Sequence, residues 1–230
     1  MNLFVEALRW IAAPANWTGT GGITARLLQH LAVTLAVVGV AALLAIPVGV
    51  VIGHARKGQA LVPLIAGAAR ALPTLGLLTL FGLALGIGLV APFLALLILA
   101  IPPLLAGAHA GVAATSPVTV DAARAIGLSE PQILFGVELP VAAPIVLEGL
   151  RSTMLQVIAT ATLAAYTADS GLGRFLFTGI KARDYPQMLG GALLVVVLAL
   201  VLDLLLWWLQ RAVTRTLDPS RKPAIAKEFA

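Results

Sequence analysis

Apolar residues in this chain come in long unbroken blocks, and the polar positions are gathered between them. A helix that is hydrophobic all round belongs in a bilayer or a large core, and about 20 such residues cross the hydrocarbon region. The first block, Leu31 to Ile52, is uncharged and ends at His54, Arg56 and Lys57. It predicts one span, with Pro47 tolerated inside it. From Ala71 to Ala108 no side chain ionises. As one helix that stretch would run about 57 Å at 1.5 Å per residue, nearly twice the hydrocarbon thickness. It must fold back, and Gly86-Ile87-Gly88 with Pro92 beyond is the natural turn. The outgoing arm then takes in Ala60 to Ala69, with Arg70 reaching for the interface. The return arm is Leu89 to Ala108. Ser152 to Ala168 and Leu189 to Leu209 predict the last two spans.

These blocks predict an all-α membrane protein of about five transmembrane helices. Residues 1–29 form an N-terminal interfacial segment, 30–212 the transmembrane domain and 213–230 a basic tail. Trp10 and Trp17 suit the membrane interface, and the segment lacks the pattern of a secretory signal. Between spans three and four lies the longest internal hydrophilic stretch, 109–150.

Composition sharpens the class. The chain is 60% hydrophobic and 11% charged, with a mean hydropathy of +1.02. That is too little polar surface for a soluble enzyme or a nucleic-acid-binding domain. With no cysteine and only His30, His54 and His109, far apart, thiolate and histidine metal sites are not expected. No Gly-x-x-x-x-Gly-Lys-Ser/Thr occurs, so ATP binding by that route is excluded. Five crossings divide the fifteen Lys and Arg five against ten. The positive-inside rule puts the richer side, with the 109–150 stretch and the C-terminus, in the cytoplasm and the N-terminus outside.

The 109–150 stretch reads as two short helices joined by a glycine. Ser116 with Pro117 starts the first, and Gly127 supplies its left-handed stop. Ser129 and Gln132, at capping-box spacing, restart the second. Pro140 and Pro144 are expected to break the pattern before the next span. A stiff hairpin can dock a partner or transmit force; it can equally just cap the bundle.

The order Asp121-Ala122-Ala123, three residues, Gly127, nine residues, Val137-Glu138-Leu139-Pro140 resembles the signature loop of binding-protein-dependent ABC importer permeases. That loop is written EAA, three residues, G, nine residues, I, one residue, LP. Asp121 stands for the usual Glu and Val137 for the usual Ile. The resemblance covers roughly residues 27–212 and implies that the loop is a coupling helix seated in a groove of a cytoplasmic ABC ATPase. Gly127 would permit the turn, and Leu139-Pro140 would end the hairpin. It implies further that ATP and Mg are bound by that partner, with no cofactor in this chain. Solute selection would fall to an extracytoplasmic substrate-binding protein, and the location would be a bacterial cytoplasmic (inner) membrane. Five spans alone do not easily enclose a solute path, so a second permease copy or paralogue is expected, within membrane lipid. Ala71-Leu72-Pro73-Thr74-Leu75-Gly76, Ser170-Gly171-Leu172-Gly173 with Phe177-Thr178-Gly179-Ile180 and Asp184, and Leu202-Asp203-Leu204-Leu205 look like the osmoprotectant branch. That branch imports glycine betaine, carnitine or choline. An importer of another small solute, such as an amino acid, and a non-transporting assembly subunit are the alternatives.

Few residues suggest more than packing. Asp203 is the acid well inside an apolar run, and an intramembrane charge faces the bundle interior by default. It either contacts a cationic solute or pairs structurally with Arg70 or Arg151. Phe81 and Tyr166 are candidate path-lining aromatics, since a quaternary ammonium binds well over aromatic faces. The segment from Asp169 to Gln187 reads as an outer loop that contacts the binding protein or is simply solvated.

Overall fold

The structure, a computed structural model, describes residues 2–217. The tail from 218 and the side chain of Arg70 lie outside the described residues. The chain opens with α1 (Leu3–Ala12), an amphipathic helix capped by Asn2, and a short 3-10 turn at Pro14–Asn16. The spans follow as α2 (Ile23–His54), a bent pair α3 (Leu61–Arg70) and α4 (Thr74–Leu85), and α5 (Val90–Ala113). Next come α6 (Pro117–Ala125), α7 (Glu130–Ile133), a π segment at Leu134–Glu138 and α8 (Leu139–Ala161). A 3-10 turn at Thr162–Tyr166, α9 (Gly173–Ala182) and α10 (Tyr185–Leu217) complete the order.

Four helices are long and apolar enough to cross a bilayer, and the bent pair makes a fifth crossing. Contacts at both ends establish that fifth crossing. Arg56, just past α2, donates to the carbonyls of Ala113 and Thr115, so α2 and α5 finish at the same end of the bundle. Gly88, just past α4, donates to the carbonyl of Thr167 at the other end. The chain between them therefore traverses the bundle. Trp10 packs edge-on to Phe175 beside the start of α10, which leaves α1 and the end of α10 at opposite ends.

The second crossing is broken in its middle, so Arg70 lies at the bend between two helices rather than near one end of the arm. Its halves meet at 75°. Pro73 has no N–H to give and disfavours a helical Leu72, so α3 tightens through Ala71 and Leu72 N–H bonds three residues back, and α4 restarts from an extended Pro73. The first span is also longer than the uncharged block, beginning at Ile23.

Three further expectations are corrected. Pro140 and Pro144 do not break the chain, and Leu139-Pro140 does not end a hairpin: one helical rod runs from Glu130 to Tyr166. A proline costs a helix one N–H bond and a clash with the carbonyl four residues back. The π segment before Pro140 absorbs this by widening the turn, and Leu139 N–H bonds to Leu134, five residues back. The supposed outer loop 169–187 contains α9, because Phe175 and its neighbours find an apolar seat against α10 and Trp10.

The core lies among α2, α5, α8 and α10, around Val37, Ala41, Leu96, Ala100, Val157 and Ile158. Many small residues let the backbones approach, as van der Waals packing in a bilayer requires. The outer faces stay apolar and uncovered: Leu83 is 84% and Ile87 96% exposed. Surfaces of this kind suit lipid or another membrane chain.

Candidate functional site

At the His54 end of the bundle, α6 and α7 form the hairpin whose sequence resembles the signature loop. Pro117 opens α6 where a missing N–H costs nothing; Ser116 caps with its carbonyl, not its hydroxyl. At the far end Gly127 N–H reaches the Arg124 carbonyl and Leu128 N–H the Ala123 carbonyl, at 2.9 and 3.1 Å. Those two bonds are the Schellman closure. It holds Gly127 at φ +89° with open space where a Cβ would go, so the backbone conformation demands glycine there. The Ser129–Gln132 capping box then starts α7.

The hairpin has its own apolar centre, Val120, Ala123 and Ile133 with Leu128 and Val137, separate from the main core. Of the signature positions, Ala123 is buried in that centre, and Asp121 and Ala122 face outward. Leu139 and Pro140 sit in the first turn of α8. Val118, Ala122 and Ile126, each four residues apart, make one exposed ridge. Val118 and Ile126 are 77% and 78% exposed. The sequence reading passed over these two, although their four-residue spacing from Ala122 was visible.

Arg124 braces the hairpin. Its Nε and Nη2 grip both oxygens of Glu130 at 2.7 and 3.0 Å, and Nη1 reaches Asp121 at 3.3 Å. That guanidinium holds the Glu130 carboxyl below the ordinary glutamate range. The brace is therefore complete above that range and fades only as pH falls through the lowered value, so it is unchanged around neutrality. Both side chains are exposed, which limits its worth.

Within the spans, Arg151 of α8 meets Asp203 of α10 in a two-toothed pair, Nε to Oδ1 at 2.8 Å and Nη2 to Oδ2 at 2.9 Å. Gln210 accepts from the same guanidinium and donates to the Pro144 carbonyl. Both oxygens of Asp203 are thus engaged. Phe81, half-buried on α4, and Tyr166, exposed and 6.0 Å from the Phe177 ring, occupy adjoining elements: Gly82 of α4 lies against Thr167. Asp203 is not with them. Its partner Arg151 precedes Tyr166 by fifteen residues, about 22 Å along a helix.

At that far end the Ser170-Gly171-Leu172-Gly173 segment is strapped to α2. Arg26 binds Asp169 through side chain and carbonyl, Gln29 accepts from Gly171 N–H, and buried His30 meets the Ile158 carbonyl at 3.0 Å. Among the described residues no group of three His, Asp or Glu gathers as a metal site would need.

A family model described as "Binding-protein-dependent transport system inner membrane component" matches residues 45–218. The chain belongs to this family, and it is the permease subunit of an ABC importer, a multi-pass inner-membrane protein. Similar curated proteins include the choline transport system permease protein OpuBB of Bacillus subtilis, 30% identical over 86% of this chain and 91% of its own length. The carnitine transport permease protein OpuCB of Listeria monocytogenes is 31% identical over 81% and 85%. The osmoprotectant import permease protein OsmW of Salmonella typhimurium is 33% identical over 81% and 89%. Among solved structures, the fold is shared with a chain of the MetNI methionine ABC transporter in an inward-facing form. That match has a TM-score of 0.66 and 23% identity over 83% of this chain and 94% of that one.

Replacing Gly127 by Val should cripple transport without preventing membrane insertion. A β-branched residue at φ +89° costs about 1–3 kcal/mol, and the strain falls on the hairpin alone. Uptake is expected to drop about tenfold or more with the permease still present in membranes; undiminished uptake would mean the turn geometry is dispensable.

Proposed function

We propose that this permease imports quaternary-ammonium osmoprotectants, of which glycine betaine, carnitine and choline are the leading members, and that α6 is the element that docks a separate cytoplasmic ATPase. The exposed Val118–Ala122–Ile126 ridge carries the docking reading. A water-facing apolar ridge on a well-capped helix needs a covering partner, and it lies within the signature spacing. ATP and Mg belong to that ATPase. An extracytoplasmic binding protein delivers the solute, and a second permease, identical or related, completes the path. The five-against-ten division of Lys and Arg supports an orientation with the hairpin end in the cytoplasm and α1 outside.

The substrate class rests on the relatives named for choline, carnitine and osmoprotectants. A quaternary nitrogen stays charged at every pH, so the path must cover that charge briefly with aromatic faces or carbonyls. The adjoining positions of Phe81 and Tyr166, at the end of the bundle away from the hairpin, support giving them such a role. Asp203, already held by Arg151, is suited to bracing α8 against α10. Uptake of labelled choline, glycine betaine and carnitine by cells with and without the gene tests the substrate class. Gene-dependent uptake of at least one is expected. Gene-dependent uptake of an ordinary amino acid, with none of these three, would overturn the substrate class and leave the permease assignment standing.

A further inference from the structure

Glu138 is the one fully buried carboxylate among the described residues, at 0% exposure. It sits in the π segment, where the hairpin passes into α8, and signature spacing makes its own position a variable one. Burying a carboxylate is costly unless it is paired, so its partners show what the burial serves. His54, the last residue of α2, hydrogen-bonds Glu138 Oε2 through Nδ1, and its Nε2 lies 3.3 Å from Glu130 Oε2, a close contact without a hydrogen bond. The other oxygen of Glu138 faces Arg56 at 3.9 Å, without a hydrogen bond. Arg56, in a left-handed conformation, is spent on the Ala113 and Thr115 carbonyls at the end of α5.

A continuous polar chain results, from Asp121 and Arg124 through Glu130 to His54, Glu138 and Arg56. It begins on the outward side of α6 and finishes at the ends of α2 and α5. The hairpin's apolar centre is separate from the bundle core, while α7 runs on into α8 and Leu134 and Leu139 share a small apolar cluster with Val50 of α2. The polar joint adds a directional link to α2 beside that apolar contact.

We propose that His54 is the positioning residue that passes movement of the α6–α7 hairpin to the adjoining end of α2, with Glu138 as its essential partner and Glu130 as an accessory one. This role rests on α6 docking the ATPase. It adds to that docking a defined route into the first span, through a residue outside the signature loop.

The two contacts of His54 can be separated. His54→Asn keeps an amide N–H near the Nδ1 position and so keeps Glu138; His54→Gln keeps one near Nε2 and so keeps Glu130. The chain has no cysteine, so Val51→Cys puts a single thiol on an exposed face of α2. The readout, on the full complex with its ATPase in proteoliposomes, is the change in maleimide labelling of that thiol on adding ATP, alongside ATP hydrolysis. With His54 present, ATP should change the labelling rate. His54→Asn should retain that change within about twofold. His54→Gln and Glu138→Gln should each shrink it about tenfold, the scale of one hydrogen bond to a charged group, while hydrolysis continues. An ATP response that survives in both His54→Gln and Glu138→Gln, one that disappears only in step with hydrolysis, or none with His54 present would overturn the role. A permease that fails to bind the ATPase at all, with His54 intact, would refute the docking itself, a separate and recognisable failure.

Discussion

Gly173→Ala should sharply reduce the yield and thermal stability of the permease. A Cβ at that position would lie 1.9 Å from the Thr162 carbonyl oxygen and 2.7 Å from its carbon. Both atoms are backbone, so no side chain can rotate away. Either α9 or the 3-10 turn after α8 must move. The movement would pull on Gly171 and Asp169, which Gln29 and Arg26 hold to α2. Overpacking a core costs about 1–3 kcal/mol when side chains can adjust; against fixed backbone the upper end is expected. Thermal unfolding in detergent gives the measurement, with Gly39→Ala, a mid-helix site with open space around it, as a control that should change little. Equal stability of the two variants would show that the close approach is not kept.

Asp203→Asn should destabilise the bundle by about 1–3 kcal/mol and leave uptake per folded molecule unchanged. The amide can replace one of the two contacts to Arg151, but it turns an N–H₂ group towards the guanidinium where the second oxygen was. A partly buried cation then lacks its counter-charge, the costly half of breaking such a pair. Arg151→Met with Asp203→Leu removes both charges, and so should recover much of the loss. Intact stability with choline uptake falling more than betaine uptake would instead assign Asp203 to the path, because choline brings no carboxylate of its own.

The features legible in the sequence are those set by neighbours along the chain. Uncharged blocks marked the crossings, and Gly127, Ser129 and Gln132 marked the hairpin, because cap bonds and a left-handed φ are local chemistry. Bends were misjudged in both directions. Pro73 divides a crossing, while Pro140 and Pro144 are carried inside one; for Pro140 the difference lies in the π turn before it, which no single residue type announces. The choice between Arg70 and Arg151 as partner of Asp203 stayed open, since the pair forms across 52 residues. His54 and Glu138 are 84 residues apart. His54 looked like the polar end of a span and Glu138 like the variable position of a motif, until α2, α5 and the hairpin were seen to meet there. The helix at 173–182 was hidden by the glycines and charges around it.

Docking of a cytoplasmic ATPase on α6 is tested most directly by Ala122→Cys in this cysteine-free chain. The thiol would stand midway along the exposed ridge and carry a maleimide-linked photo-crosslinker in membranes that also contain the ATPase. Illumination should join the permease to the ATPase, and bound ATPase should shield the same thiol from a maleimide added to inside-out vesicles. A thiol equally reactive with and without the ATPase, with no joined product, would contradict the docking.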